Sequence, residues 1–207
     1  MGFKIGKTKA KQYIEYKYFP KDRVELINIV RERLEKNQNA DLNDIDTSEI
    51  TDMHDLFEYI ATGEINLSNW DVSKVTNMYG MFHGCSKLTK IDLSKWDVSN
   101  LENTGFMFDG CSGLKAVNVS TWNTSNLKDT KYMFYKCQAL QNIDISNWDV
   151  SSIEDMNRMF YMCKNLHSIG NVDNFKFGGR RVNLRKMFRD SPVKLPKWYE
   201  DNTLVLN

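Results

Sequence analysis

From residue 70 onward, apolar and polar positions recur with a single long period. Trp70, Trp96, Trp122 and Trp148 stand 26 residues apart, as do Cys85, Cys111, Cys137 and Cys163. The pairs Met81-Phe82, Met107-Phe108, Met133-Phe134 and Met159-Phe160 keep the same step. Self-similarity of this length decides the architecture before any local motif does. Within one unit, Leu88, Ile91 and Leu93 follow the L-x-x-L-x-L spacing of leucine-rich repeats, with Lys90, Asp92 and Ser94 left for solvent. That alternation predicts a short strand, repeated by Val117 and Val119 and by Ile143 and Ile145. After each tryptophan a second pattern begins. Val75, Met78, Met81 and Phe82 fall at helical spacing for one buried stripe, and Ile153, Met156, Met159 and Phe160 repeat it. The expectation is an α/β chain with one strand and one helix per repeat, about four full repeats in all. Such a unit cannot bury its apolar face alone, so neighbours must stack.

The pattern degrades at both ends, as capping demands. On the amino side, Ile50, Met53, Leu56 and Phe57 align with Val75, Met78, Met81 and Phe82 at an offset of 25. Ahead of them, Pro20 opens a predicted helix whose Leu26, Ile27, Val30 and Leu34 form one stripe, with Asp22 near its positive end. On the carboxyl side, Phe175 takes the tryptophan place and Leu184, Met187 and Phe188 keep the spacing, before Pro192 and Pro196 end it. The reading divides the chain into an amino-terminal strand and helix cap over residues 1–40, a repeat array over 41–170, and a degenerate repeat with a basic cap over 171–207.

One unit reads N-W-D-V-S-x-V-T-N-M-x-x-M-F-x-x-C-x-x-L-x-x-I-D-L-S-x-W. This motif resembles the BspA-like leucine-rich repeat, also called the DUF285 repeat family of bacterial surface and mobile-element proteins. The resemblance covers about residues 40 to 170, and the stretch Asp41 to Ser48 is similar to that family's amino-terminal beginning. It implies a right-handed leucine-rich-repeat solenoid that works by binding, often in adhesion at cell surfaces. Exported relatives carry signal or lipid-anchor sequences. The start, MGFKIGKTKAKQYIEY, shows neither, and the expectation is therefore a cytoplasmic protein.

Composition adds little until charge is followed along the chain. Apolar residues at 41% and charged residues at 27% are ordinary for a globular protein, and no run approaches the roughly 18 apolar residues of a spanning helix. The net charge of +1 conceals segregation: residues 1–36 carry +5, residues 37–170 carry −8, and residues 171–207 carry +4. Such asymmetry bears on partners rather than on fold.

The conspicuous columns read as core. Cysteines 26 residues apart lack the clustered pairs that zinc requires, and they behave as small buried hydrophobes. The tryptophans could form a ladder for sugars or bases, but their fixed place beside the strand residues favours packing. Asp71, Asp97, Asn123 and Asp149, each followed two residues later by Ser, suit turn and cap hydrogen bonds better than calcium binding. GFKIGKT at Gly2 to Thr8 has three residues between its glycines where a phosphate loop has four. Only three histidines occur and no nucleophile stands with a base in sequence, so no catalytic residue, metal or cofactor is assigned.

Binding information in a repeat protein lies where equivalent positions differ. The residue before each Met-Phe pair runs Gly80, Phe106, Tyr132, Arg158, and the one after runs His83, Asp109, Tyr135, Tyr161. Tyr and Arg dominate interface hot spots, which singles out Phe106, Tyr132, Tyr135, Arg158 and Tyr161. A second candidate is the strand face, where Asp92, Asn118 and Asp144 align as a polar, acidic strip. The function expected is a non-enzymatic protein-interaction module whose partner presents a basic surface. One version is a phage or mobile-element inhibitor that masks a host defence nuclease such as a CRISPR effector. Two alternatives stay open. Nucleic acid could bind the basic ends through Lys7, Lys9, Lys11, Arg180, Arg181, Arg185 and Lys186. The chain could also be a surface adhesin if a signal sequence has been removed. Oligomeric state is not legible.

Overall fold

The computed structural model describes residues 5–7, 13–199 and 204–205, with side chains over 14–199. Regular elements are few. A short antiparallel pair joins β1 (Ile5–Lys7) to β2 (Tyr13–Glu15), and α1 (Arg23–Lys36) follows. A parallel pair joins β3 (Lys90–Asp92) to β4 (Ala116–Asn118) with Ile91 opposite Val117. Near the carboxyl end, β5 (Val182–Asn183) pairs antiparallel with β6 (Leu204–Val205).

The helix α1 forms where the sequence places it. Asp22 caps it by accepting from the backbone N–H of Glu25 at 2.9 Å, while Arg33 and Lys36 lie in the last turn, where the helix dipole favours cations. Leu26, Ile27, Val30 and Leu34 are its buried stripe. The Arg23 side chain donates to the carbonyl of His54 at 2.6 Å, tying α1 to the first repeat unit.

The α/β strand-helix solenoid is not what the chain forms, and the right-handed leucine-rich-repeat architecture falls with it. Among the described residues α1 is the one helix, and it lies outside the repeats. The segments with helical spacing are trains of overlapping turns, and the chain is largely irregular with short β contacts. The backbone hydrogen bonds give the reason. In residues 78–85, the N–H groups of Met78, Gly80, Phe82 and Gly84 donate to carbonyls of the following repeat, Asn103, Gly105, Met107 and Asp109. The intervening N–H groups of Met81, His83 and Cys85 close tight turns onto Met78, Gly80 and Phe82. Tyr79 N–H is taken by the Asn77 side chain at 3.1 Å. Every donor in the segment is therefore satisfied, half within a layer and half between layers, and none in an α-helical manner.

This alternation needs a left-handed backbone twice per repeat, four residues apart. Positive φ falls at Asp55 and Tyr59, Gly80 and Gly84, Phe106 and Gly110, Tyr132 and Lys136, Arg158 and Met162, and Lys186 and Asp190. Non-glycine residues adopt that conformation at a cost of roughly 1–2 kcal/mol each. It persists because the interlayer bonds over-determine it. At Gly84 a side chain would also displace its neighbour, since a Cβ there would lie 2.3 Å from the exposed Tyr59 ring.

The strands are also sparser than one per repeat. Outside β3 and β4 the strand positions meet as isolated parallel bridges, Glu64 with Lys90 and Asn142 with Ser168. A second set of bridges runs Asp52, Asn77, Asn103, Asp129, Asp155, Asn183, linking successive repeats from the first to the last.

Inside the stack, side chains form columns. Rings of Phe57, Phe82, Phe108, Phe134, Phe160 and Phe188 lie 5.2–5.8 Å apart and within 8° of parallel. Each cysteine is buried and donates its thiol to a phenylalanine carbonyl of the preceding layer, Cys85 to Phe57 and Cys111 to Phe82 at 3.0 Å, Cys137 to Phe108 at 3.1 Å and Cys163 to Phe134 at 2.9 Å. Trp70, Trp96, Trp122 and Trp148 are buried, and their indole N–H groups reach carbonyls of Leu42, Leu67, Leu93 and Val119. At the far end Trp198, not Phe175, makes this bond, to Val172 at 2.6 Å, with the Phe175 ring stacked on it.

Phe134→Ala should lower stability by about 3–5 kcal/mol, because the ring is wholly buried between two neighbours and the rigid layers cannot close the cavity. Urea unfolding checks this. Burial pushes the thiols of Cys85 and Cys163 up to about 12. A thiol-specific chromogenic reagent at about pH 8 should leave the folded protein unlabelled and titrate all four cysteines after denaturation.

Candidate functional site

The turn ladder builds one face of the molecule. The positions that vary between repeats lie on it, because the inward positions are filled by Met, Phe and Cys. The N–H of Phe106 donates to the Lys131 carbonyl and that of Tyr132 to Asn157, at 2.9 and 2.8 Å. These bonds hold equivalent residues one above the next. The rings of Phe106 and Tyr132 stack at 4.6 Å and 9°. Tyr79 tilts against Phe106 at 5.2 Å, and the Arg158 guanidinium lies 5.3 Å over Tyr132 while donating to its hydroxyl at 2.6 Å. Alongside, Tyr135 stacks on Tyr161 at 5.4 Å, and Lys136 lies 4.9 Å over Tyr135. Tyr132 and Tyr135 touch at 5.2 Å, joining the two columns. Phe106, Tyr132, Tyr135, Arg158 and Tyr161 are thus one half-buried cluster.

The strand strip is elsewhere and differently occupied. Asp92, Asn118 and Asp144 are exposed, but each turns an oxygen onto the residue two positions on: Asp92 to the Ser94 N–H at 3.0 Å, Asn118 to the Ser120 N–H at 3.3 Å, Asp144 to the Ser146 N–H at 3.0 Å. Hydrogen bonds from these serines, side chain first and backbone second, hold the carboxyls of Asp92 and Asp144 below the usual range. Asp92 and Asn118 border an open cleft of about 810 Å³ between the β3–β4 edge and the segment after α1, walled by Leu34, Gln38 and Asp41. Asp144 does not line it. Asp71, Asn123 and Asp149 accept from Ser73, Ser125 and Ser151 in the same way, so the recurring Asx-x-Ser is a turn device.

The basic residues part company. Lys9 and Lys11 lie outside the described residues, and so does the side chain of Lys7. Arg180 pairs with Glu154 at 3.6 Å and Arg181 is exposed. Arg185 and Lys186 belong to the aromatic face: the Arg185 carbonyl accepts from Arg158 N–H at 3.0 Å, and the Arg189 carbonyl accepts from Met162 N–H at 2.9 Å. The last layer therefore extends the aromatic cluster with Arg185, Lys186 and Arg189. Arg189 escaped the sequence reading because the step from Phe160 to Phe188 is 28 residues and breaks the register.

His54 Nδ1 lies 2.8 Å from Asp52, yet no hydroxyl or thiol among the described residues bonds its other nitrogen. Among the described residues no three His, Cys, Asp or Glu side chains are grouped to hold a metal ion. His83 reaches the Tyr59 hydroxyl at 3.4 Å and Asp109 at 3.8 Å.

Residues 26–143 and 107–198 match the family described as "Mycoplasma protein of unknown function, DUF285". The matches span most of the chain, and the chain belongs to this family. No curated protein and no solved structure matches it. Family membership brings no activity or partner with it.

Asp109 is the titrating group to examine. Its side chain is 14% exposed, and burial raises its carboxyl above the usual range, offset in part by His83 and Lys136. A carboxyl whose pKa is higher in the folded state favours folding below its unfolded pKa and opposes it once pH rises through the folded value. Asp109→Asn should therefore raise the urea midpoint at pH 7. The gain should vanish below about pH 3.9, where the wild-type carboxyl is already neutral.

Proposed function

We propose that this protein is a non-enzymatic interaction module that binds a partner protein through the aromatic face of its turn ladder. The observation that carries the reading is the gathering of Phe106, Tyr132, Tyr135, Arg158 and Tyr161 into one patch. These positions are the ones at which the repeat varies. Stacked, hydrogen-bonded rings and a guanidinium lose little conformational freedom on binding, which is how aromatic and arginine residues come to dominate interfaces.

The strand strip supports the earlier idea of a basic partner less well. Its carboxylates already serve turns, and Glu64 beside it is paired with Lys90 at 3.1 Å. Nucleic acid as principal ligand loses part of its basis, because Arg180 is paired with Glu154. The fold lends no support to the inhibitor version.

The test is capture from an extract of the source cell at moderate salt, read by mass spectrometry. The wild-type protein should enrich a discrete protein that Tyr135→Ala, Arg158→Ala, Tyr161→Ala does not, while Asp92→Ala, Asp144→Ala retains it. Loss of at least about tenfold is expected for the first variant. Retention by the first variant and loss by the second would move the site to the strand strip. Circular dichroism and the urea midpoint verify that both variants fold.

A further inference from the structure

Elsewhere on the molecule, charged residues face each other between layers. Lys74 pairs with Glu49 at 2.9 Å, Lys128 with Glu102 at 2.8 Å, Lys90 with Glu64 at 3.1 Å, and Arg180 with Glu154 at 3.6 Å. The repeat thus places a carboxylate one layer before each of these cations. On the aromatic face this pairing stops. Lys131 is neutralised by Asp129 at 2.6 Å, but Lys136, Arg158, Arg185, Lys186 and Arg189 have no described carboxylate within 4.0 Å. Lys136 lies in the field of the Asp109 carboxyl, so four cations, Arg158, Arg185, Lys186 and Arg189, accumulate around the ring cluster, within two successive layers.

The rings add a second constraint. Phe106 is flanked by Tyr79 and Tyr132, Tyr132 by Phe106 and the Arg158 guanidinium, and Tyr135 by Tyr161 and Lys136. With two neighbours each, Phe106, Tyr132 and Tyr135 keep little ring face for solvent, while Tyr161 has one described ring neighbour, Tyr135. A nucleobase needs an open ring face on which to stack. An aromatic edge carries the positive end of the ring quadrupole and attracts a carboxylate, as a guanidinium does more strongly.

We infer that this face receives an acidic segment of a partner protein, its carboxylates over Arg158, Arg185 and Arg189 and its apolar side chains against the edges of Tyr132, Tyr135 and Tyr161. This rests on the protein-binding reading above and names the chemistry of the partner. It reverses the sign expected from the acidic middle of the sequence, since the carboxylates there are engaged in turns and interlayer pairs.

The experiment uses the full chain and a fluorescein-labelled peptide of repeated Glu-Asp-Leu triplets, with a labelled oligothymidylate of equal charge as comparison, both read by anisotropy. The peptide should bind, and raising salt from about 0.1 to 0.5 M should weaken it about tenfold, as exposed charges are screened. Tyr135→Ala, Tyr161→Ala, which leaves charge unchanged, should weaken it about tenfold, and Arg185→Glu, Arg189→Glu should abolish it. Oligothymidylate binding as tightly as the peptide overturns the inference, as does peptide binding indifferent to the tyrosine pair. A partner captured from extract that is lost in the tyrosine variant but kept by Arg185→Glu, Arg189→Glu overturns the acidic chemistry alone and leaves the protein-binding reading intact.

Discussion

Backbone N–H groups in the turn ladder alternate between closing a turn in their own layer and reaching a carbonyl in the next, and the other features follow from that alternation. It holds adjacent layers close enough for the phenylalanine rings to stack in register, 5.2 Å apart for Phe57 and Phe82, and for a thiol to reach the carbonyl of the layer before. It also sets where side chains go. Two left-handed residues per repeat bring Met and Phe inward at a spacing of three and four, and turn the residues at and around them outward. Stability is consequently a sum over neighbouring layers, since a single layer leaves half of its ladder donors without acceptors.

The same feature explains what the sequence could and could not reveal. The period, the buried set and α1 were all legible, because burial repeats and an Asp cap before an apolar stripe carry their own physical signatures. The repeat helices were not. A spacing of i, i+3, i+7 suits an α-helix, yet a train of overlapping turns places every third residue inward as well, and apolar pattern alone does not separate them. The discriminating signal was present in the breakers. Gly80 falls inside a supposed helix, where it would cost about 1 kcal/mol relative to alanine, and it sits at a left-handed position, as do Gly84 and Gly110 just past the Met-Phe pairs. Asn77, Asn103 and Asp129, each accepting from the N–H two residues on, mark the start of every ladder segment.

The candidate site was legible only in part, for a related reason. Comparison of equivalent positions finds Phe106, Tyr132, Tyr135, Arg158 and Tyr161 because those repeats are in strict register. The following layer is two residues out of step, lengthened by a loop in which Gly178 and Gly179 take positive φ. Arg185, Lys186 and Arg189 therefore read as part of a basic tail. The hydrogen bonds from Arg158 and Met162 to Arg185 and Arg189 put them back in the array and beside the rings. Part of the basic set, Arg185 and Lys186, thus stands one layer beyond the aromatic cluster, while Arg180 pairs with Glu154.

That placement bears on how charge should be weighed in such a chain. The acidic excess of residues 37–170 suggested a basic partner, but a formal count treats every carboxylate as available. Here Asp92 and Asp144 hold serine hydrogen bonds, Glu49, Glu64, Glu102 and Glu154 each face a cation in an adjoining layer, and Asp109 is half-buried. Exposed pairs of this kind contribute little to stability, about 0–1 kcal/mol each, but they remove charge from the field a partner meets. Lys136 beside Tyr135 is partly offset by Asp109, whereas Arg158, Arg185 and Arg189 have no described carboxylate within 4.0 Å. The charge a surface presents is what remains after the fold has satisfied its own turns and layers, and around Arg158, Arg185 and Arg189 the cations are the ones without a described carboxylate within 4.0 Å.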